Sequence, residues 1–227
     1  MKYLSLTILI LLMSCAKKNE SENLTTEVKT LEGETALKLT DKSVKFLWRE
    51  NEYDKELNDT VNTIFINQEY CKNISEPEKA ALGFIASFIG SECDWDGEAN
   101  KKYDNLSCKI NRALNLGYQC SEEHLNFLRK WFKKDKKALE RLTDCSAIPY
   151  TASSQETFDY INIITKGDTI KISFEASGVN MRSEKSWSYK EEDTFVLKND
   201  NIVFIKAEES ENEQNSFKMD EEQDEEN

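Results

Sequence analysis

Carboxylates stand at alternate positions directly after a cysteine in one short segment of the chain. Asp94, Asp96 and Glu98 match the spacing of the first three ligands in an EF-hand calcium loop. That loop then needs glycine at its sixth position and glutamate at its twelfth, where this chain has Ala99 and Asn105. The EF-hand pattern therefore fails. A looser calcium site on the three carboxylates stays an alternative to solvated side chains at a turn.

A second candidate for chemistry is the pair Cys120 and His124, which contains the chain's only histidine. Four residues apart on a helix, the two side chains could share a metal ion or act as nucleophile and base. The sequence offers no further ligands for such a metal, and no nucleophile elbow, phosphate-binding glycine loop or zinc signature. We therefore predict no metal, no cofactor and no catalytic residue, with Cys120 in a disulfide and His124 on the surface.

Basic residues cluster in the middle of a predicted helix that begins at Ser121 and ends at Leu142. The cluster comprises Arg129, Lys130, Lys133, Lys134, Lys136 and Lys137, and all but Lys136 are taken as site candidates. It is either the solvated face of an amphipathic helix or an anion-binding patch. For an exported protein the anion would be a lipid headgroup, an envelope polymer or an acidic protein, and not nucleic acid. The acidic C-terminus could also cover the cluster.

The N-terminus, MKYLSLTILILLMSC, has a basic residue, an apolar run of about ten residues and then Leu12-Met13-Ser14-Cys15. This ending resembles the lipobox of bacterial lipoproteins. The resemblance implies a signal peptide at 1–14, acylation of Cys15, anchoring to a membrane of the bacterial cell envelope and a body outside the cytoplasm. The membrane would be the outer one in a diderm organism. The alternative is an ordinary secretory signal with a chance cysteine.

Composition divides the rest of the chain into three parts. Residues 15–40 are polar and predict a flexible tether, and 41–207 are long enough for a single domain. Residues 208–227 hold ten acids against Lys218, which is about −9 of the formal net charge of −13. Such a run is typical of a disordered tail.

Within the domain, the period of the apolar residues changes from helical to alternating after Cys145. Helices are predicted at about 54–70, from a capping box at Ser75, at 106–116 and at 121–142. Two strand pairs follow over 156–207, with turns at 166–168 and 198–201. The predicted fold is α+β, a bundle of about four helices (41–145) followed by a four-stranded antiparallel β-meander.

The five cysteines after Cys15 predict disulfides, because export exposes them to oxidising conditions. A helix of about fifteen residues separates Cys71 from Cys93 by over ~20 Å, and a longer one separates Cys120 from Cys145. Neither pair could then reach the ~6 Å that a disulfide needs. With alternating helices, we predict Cys71–Cys120 and one bond among the other three cysteines, most simply Cys93–Cys108.

The leading hypothesis is a non-catalytic lipoprotein of the cell envelope that binds a protein or an envelope polymer, as an inhibitor, an immunity-type factor or an accessory subunit. One alternative is an envelope hydrolase that uses carboxylates, which would need a deep cleft with two acids and a strongly raised pKa. The other is a structural lipoprotein without a dedicated ligand. An exposed Trp95 would favour a binding surface at that end of the domain.

Overall fold

The computed structural model describes residues 37–95, 105–145 and 153–217. The predicted lipidation site Cys15 and the carboxylates of Asp96 and Glu98 lie outside these residues. Within the described part of the chain, no helix is long and apolar enough to cross a membrane.

Most of the described chain is β-structure. Its strands are β1 (Lys42–Asp54), β2 (Asp59–Ile66), β3 (Asp94–Trp95), β4 (Leu106–Ser107), β5 (Ser154–Lys166), β6 (Thr169–Asn180), β7 (Lys185–Lys198) and β8 (Asn201–Ser216). Its helices are α1 (Gln68–Asn73), α2 (Glu76–Ile85), α3 (Lys109–Ala113), α4 (Glu122–Trp131) and α5 (Lys136–Thr143). Six strands form one antiparallel sheet in the order β2-β1-β5-β6-β7-β8, and β3 pairs with β4. The predicted helical bundle is therefore wrong.

The helix predicted at 54–70 is instead a turn followed by β2. Asp54 ends β1, and its carboxylate accepts hydrogen bonds from the backbone N–H groups of Glu56 and Leu57. The sequence DTVNTIFI that follows is rich in β-branched residues, which pack well on a pleated surface. Leu57 had suggested a helical apolar face, but it lies in the turn and is 67% exposed.

The long helix predicted at 121–142 is broken into α4 and α5. Asp135 is the N-cap of α5, where one carboxylate oxygen accepts from Ala138 N–H at 3.1 Å. The other oxygen accepts from the backbone N–H of Phe204 in β8 at 2.7 Å. One buried carboxylate therefore starts a new helix and fastens it to the sheet.

The helix α2 begins as predicted. Ser75 and Glu78 form a capping box, and the buried Glu78 carboxylate also accepts from Tyr70 Oη at 3.0 Å and pairs with Lys42 Nζ at 3.0 Å. From this start, α2 carries Phe84 into the core. There its ring contacts four other aromatic rings, those of Phe88, Phe132, Phe195 and Phe204.

The helices cover one face of the six-stranded sheet. Along β6 the residues Ile170, Ile172, Phe174 and Ala176 alternate as buried positions with half-buried polar ones. Both predicted turns, at 166–168 and 198–201, join neighbouring antiparallel strands as expected. These four strands are, however, part of a larger sheet that β1 and β2 extend.

Cross-strand pairing gives the sheet two distinguishable ends. One row of paired residues runs from Lys42, the first residue of β1, to Phe204 on β8, and marks what we call the entry end. Its members are Lys42, Thr165, Ile170, Phe195 and Phe204. A second row, Glu156, Gly178, Trp187 and Gln214, marks the opposite end, which we call the cleft end.

The strand β8 crosses from the entry end to the cleft end and continues to Ser216. The disordered tail was predicted to begin at residue 208, whereas residues 208–216 pair with β7. Glu211, for example, forms an ion pair with Lys190 at 2.7 Å. Backbone pairing and such ion pairs hold an acidic sequence in a strand that its composition alone does not favour.

Candidate binding cleft at one end of the sheet

A cleft opens at the cleft end because two neighbouring strands separate. The pairing of β1 with β5 stops at Leu47 and Ile161, whereas β1 continues to Asp54 paired with β2 alone. The resulting space has a volume of about 780 Å³. The six strands of the large sheet contribute to its lining, together with Glu92, Cys93 and Asp94, the first residue of β3.

Arg49 lies where the two strands part. Its guanidinium is 2.8 Å from a carboxylate oxygen of Asp159, donates to Thr157 Oγ1 at 3.1 Å and lies 3.5 Å from Glu92. It also donates to the carbonyl of Asn62 on β2 at 3.3 Å. Asp159 sits at a β-bulge between Phe158 and Tyr160. Arg49 therefore joins both sides of the cleft.

Glu156 is the central carboxylate of the cleft floor. It accepts from Trp187 Nε1 at 3.2 Å and from Tyr189 Oη at 3.3 Å. The indole lies directly over Gly178, because a Cβ built there would be 2.3 Å from Trp187 Cζ2. Burial and the neighbouring acid Glu156 raise the pKa of Tyr189, so its hydroxyl stays protonated and donates. Because a side chain at position 178 would overlap the indole of Trp187, this packing requires glycine there.

The rim of the cleft carries the segment with the alternating acids. Asp94 is exposed and lines the cleft, and Trp95 beside it is 44% exposed. Both residues pair with β4, and Cys93 is bonded to Cys108. The exposure of Trp95 favours a binding surface at this end of the domain.

The disulfides are Cys93–Cys108 and Cys120–Cys145, while Cys71 is not in a disulfide. The first confirms the predicted bond, and the predicted Cys71–Cys120 bond is wrong. The break between α4 and α5 is the reason. Because the chain turns back there, the Cα atoms of Cys120 and Cys145 are 5.6 Å apart.

His124 is fully buried and was wrongly predicted to lie on the surface. Its Nδ1 accepts from Cys120 N–H at 3.1 Å, and its Nε2–H donates to the Gly83 carbonyl at 3.2 Å. Burial lowers its pKa to about 4. The neutral ring thus links the start of α4 to α2. The bond of Cys120 to Cys145 also removes the thiol that a nucleophile would need.

The described residues contain no group of three or more His, Cys, Asp or Glu placed to hold a metal ion. Of the three carboxylates in the alternative calcium site, only that of Asp94 belongs to the described residues. Glu92, Asp159 and Glu156 instead contact cationic, hydroxyl or indole groups of the chain itself. Glu92, for example, lies 2.6 Å from Lys109 Nζ.

The predicted basic cluster lies at the turn between α4 and α5. Its six residues, Arg129, Lys130, Lys133, Lys134, Lys136 and Lys137, are all exposed, and we call them the basic corner. Arg129 pairs with Glu122 at 3.3 Å. Among the described residues, no carboxylate forms a salt bridge with any of the five lysines. The corner is not part of the cleft.

One buried acid outside the cleft has a strongly raised pKa. Asp193 on β7 is 3% exposed, and desolvation together with the neighbouring Glu191 raises its pKa to about 8. The charge of Arg141 opposes this shift. Asp193 does not line the cleft.

No family model matches this chain, and no curated protein or solved structure proved similar to it. The cleft and its charges are therefore the basis on which function is argued. Sequence reasoning missed Arg49, Glu156 and Trp187, which come together only through strand pairing. One available signal was Gly178, a glycine inside an otherwise alternating strand, which marks a close approach.

Proposed function

We propose that the protein is a non-catalytic lipoprotein of the cell envelope that binds a protein or an envelope polymer in the cleft. The observation that supports this most strongly is the open cleft of about 780 Å³ with the exposed Trp95 on its rim. Exposed aromatic side chains next to polar clefts are typical of recognition surfaces.

The state of the cleft acids supports binding over catalysis. Glu156 is held by an indole and a phenol, Asp159 by Arg49, and Glu92 by Arg49 and Lys109. Three of the four acids in the lining are thus already in contact with groups of the chain itself. A general acid must instead be free to reach the substrate atom to which it gives its proton.

The hydrolase alternative needs a raised pKa and a cleft at one place, and these two features are separated here. Asp193 has the raised pKa but is buried outside the cleft lining. Glu156 lines the cleft but serves as an acceptor for Trp187 and Tyr189. The geometry therefore favours a ligand that is held and not cleaved.

The charges of the cleft indicate the chemistry of the ligand. Its lining contains four acids, Glu92, Asp94, Glu156 and Asp159, and one base, Arg49. Neutral hydrogen-bonding groups line the remainder, including Ser177, Ser186, Ser188 and Asn215. A polar segment that carries amino or guanidinium groups fits such a site better than an anionic one.

A photo-crosslinking amino acid at position 95 tests this proposal in the native envelope. The matched control is position 205, because Ile205 is an exposed apolar residue too, at 49%, but lies on β8 away from the cleft lining. We expect a discrete adduct from position 95 and none at that mobility from position 205. Digestion of the adduct with a protease or a peptidoglycan hydrolase then tells a protein ligand from a polymer.

A second variant ties the adduct to the cleft itself. Glu156→Gln keeps the shape of the floor but removes its charge, and we expect the yield from position 95 to fall several-fold. Equal adducts from positions 95 and 205, or a yield unaffected by Glu156→Gln, would show that the cleft does not bind the ligand. Release of cleaved polymer by wild-type protein, lost in Glu156→Gln, would favour the hydrolase instead.

A further inference from the structure

We propose that the basic corner is a second, electrostatic membrane contact, which rests on anionic lipid headgroups and points the cleft away from the bilayer. The proposal rests on the lipid anchor of the proposed function and is independent of what the cleft binds. It commits to lipid headgroups, and the test separates them from an anionic wall polymer.

The first support is the position of the corner relative to the start of β1. Asp135, within the corner's turn, accepts from the backbone of Phe204, and Phe204 belongs to the same cross-strand row as Lys42. Four strand spacings separate the two, which is about 19 Å. The chain thus enters the sheet at the end where the basic corner lies.

The second support is the charge of the corner itself. Its five lysines are exposed without a salt-bridge partner among the described residues. The neighbouring turns at this end are nearly neutral, because Lys166 is offset by Asp168 and Lys198 by Asp200. Among these turns, the excess of positive charge therefore lies in the corner. Each lysine near an anionic bilayer strengthens binding on the order of fivefold.

The described part of the acidic C-terminus leads away from the corner. From Phe204 to Ser216, β8 carries the chain about 40 Å toward the cleft end. Its acids up to Glu213 therefore lie along β8 and not over the corner.

The predicted tether, residues 15–40, leads to the entry end of the sheet. There the carbonyl of Thr40 accepts from Thr165 Oγ1, and Asp41 accepts from the backbone N–H of Gly167 at 2.7 Å. Stable membrane attachment takes two signals, and an acyl anchor combined with a basic patch is one such pair.

Amine labelling of the full lipidated protein tests the orientation without any substitution. The protein is reconstituted in phosphatidylcholine vesicles, or in vesicles with about a third phosphatidylglycerol. Acylation of each lysine is then followed by mass spectrometry. We expect labelling of Lys133, Lys134 and Lys137 to fall about threefold or more in anionic vesicles and to recover in high salt. Lys55 and Lys185, exposed at the cleft end, are internal controls that should not change.

Two triple variants of equal charge complete the test. In the lipidated protein, replacement of Lys133, Lys134 and Lys137 by Gln should restore labelling of Lys130 and Lys136 in anionic vesicles. Replacement of Lys55, Arg182 and Lys185 by Gln should leave their protection intact. Absence of protection in wild type, protection of all lysines alike, or loss of protection in both triples would overturn the proposal. Protection by soluble anionic wall polymer but not by vesicles would assign the corner to that polymer.

Discussion

The entry end and the cleft end of the same sheet differ in how their charged side chains are arranged. At the entry end, Asp135 and Phe204 fasten a helical turn to β8, and the lysines around it have no salt-bridge partner within the described part of the chain. At the cleft end, β1 leaves β5, and Asp159 and Glu156 are held by Arg49, Trp187 and Tyr189. One end therefore presents exposed lysines on a packed surface, and the other presents mostly partnered carboxylates around an open space.

This contrast shows why the formal net charge of −13 describes neither surface. Exposed lysines at a turn attract a diffuse anionic surface, and salt weakens this attraction. Carboxylates with fixed partners in a concave site select by geometry.

Removal of either disulfide should lower the free energy of unfolding by a similar amount, but the two removals should affect opposite ends of the sheet. The bonds close loops with sequence separations of 15 and 25 residues, for Cys93–Cys108 and Cys120–Cys145. Chain entropy then predicts a loss of about 3 kcal/mol for each double Cys→Ser variant. Urea titration measures this loss. The first variant should lose the adduct at position 95, because Cys93 lines the cleft.

The second variant should keep that adduct and lose the lysine protection, because Cys120–Cys145 closes the pair of helices that ends in the basic corner. If both folded variants lost both the adduct at position 95 and the lysine protection, the two ends would not be independent.

Asp193→Asn should stabilise the protein at high pH. Because the pKa of Asp193 rises from 3.8 to about 8 on folding, the native state retains a proton that the unfolded chain releases. The unfolding free energy therefore falls as pH rises through this window, and it is lowest above it. The variant should gain stability that grows as pH rises through this window, with little gain near pH 4.

His124 provides the opposite slope as an internal reference. Its pKa falls from 6.5 to about 4 on folding, so its contribution is present above this window and is lost as pH falls through it. In Asp193→Asn, the unfolding free energy should therefore rise with pH between about 4 and 6.5. A variant no more stable than wild type at pH 8 would contradict the assigned environment of Asp193.

Gly178→Ala should disturb the cleft end alone. The new methyl group would overlap the indole of Trp187, which must move and release Glu156. Because the cleft is open, the ring can shift outward, and we expect a loss of about 1–2 kcal/mol. Tryptophan fluorescence and chemical denaturation measure both effects. Ser177→Ala, one residue away, is the control and should do neither; an unchanged fluorescence in Gly178→Ala would contradict the close packing.

Local signals predicted some elements well because neighbouring residues determine them. The capping box at Ser75 and Glu78 and the turns at 166–168 and 198–201 depend on residues within a few positions. The helix predicted at 54–70 failed because apolar residues at helical spacing also occur in a turn and a short strand. The long predicted helix failed at Asp135, although a capping acid inside a lysine run was a visible sign of a new N-terminus.

The cleft could not be predicted because its residues come from distant positions. Arg49 and Asp159 meet only because β1 pairs with β5, a long-range contact that no local pattern specifies. The disulfide error followed from the helix error, because Cys120 was judged too far from Cys145. The basic corner was visible in sequence, yet its position at the entry end depends on strand register.

A pair of photo-crosslinkers in the same native envelope tests most directly whether the two ends have different partners. One probe replaces Trp95 on the cleft rim, and the other replaces Lys134 in the basic corner. We predict a protein or polymer adduct from position 95 and phospholipid adducts from position 134, identified by mass spectrometry. The same partner captured at both positions, or lipid captured at position 95, would contradict the separation of the sheet into a membrane end and a binding end.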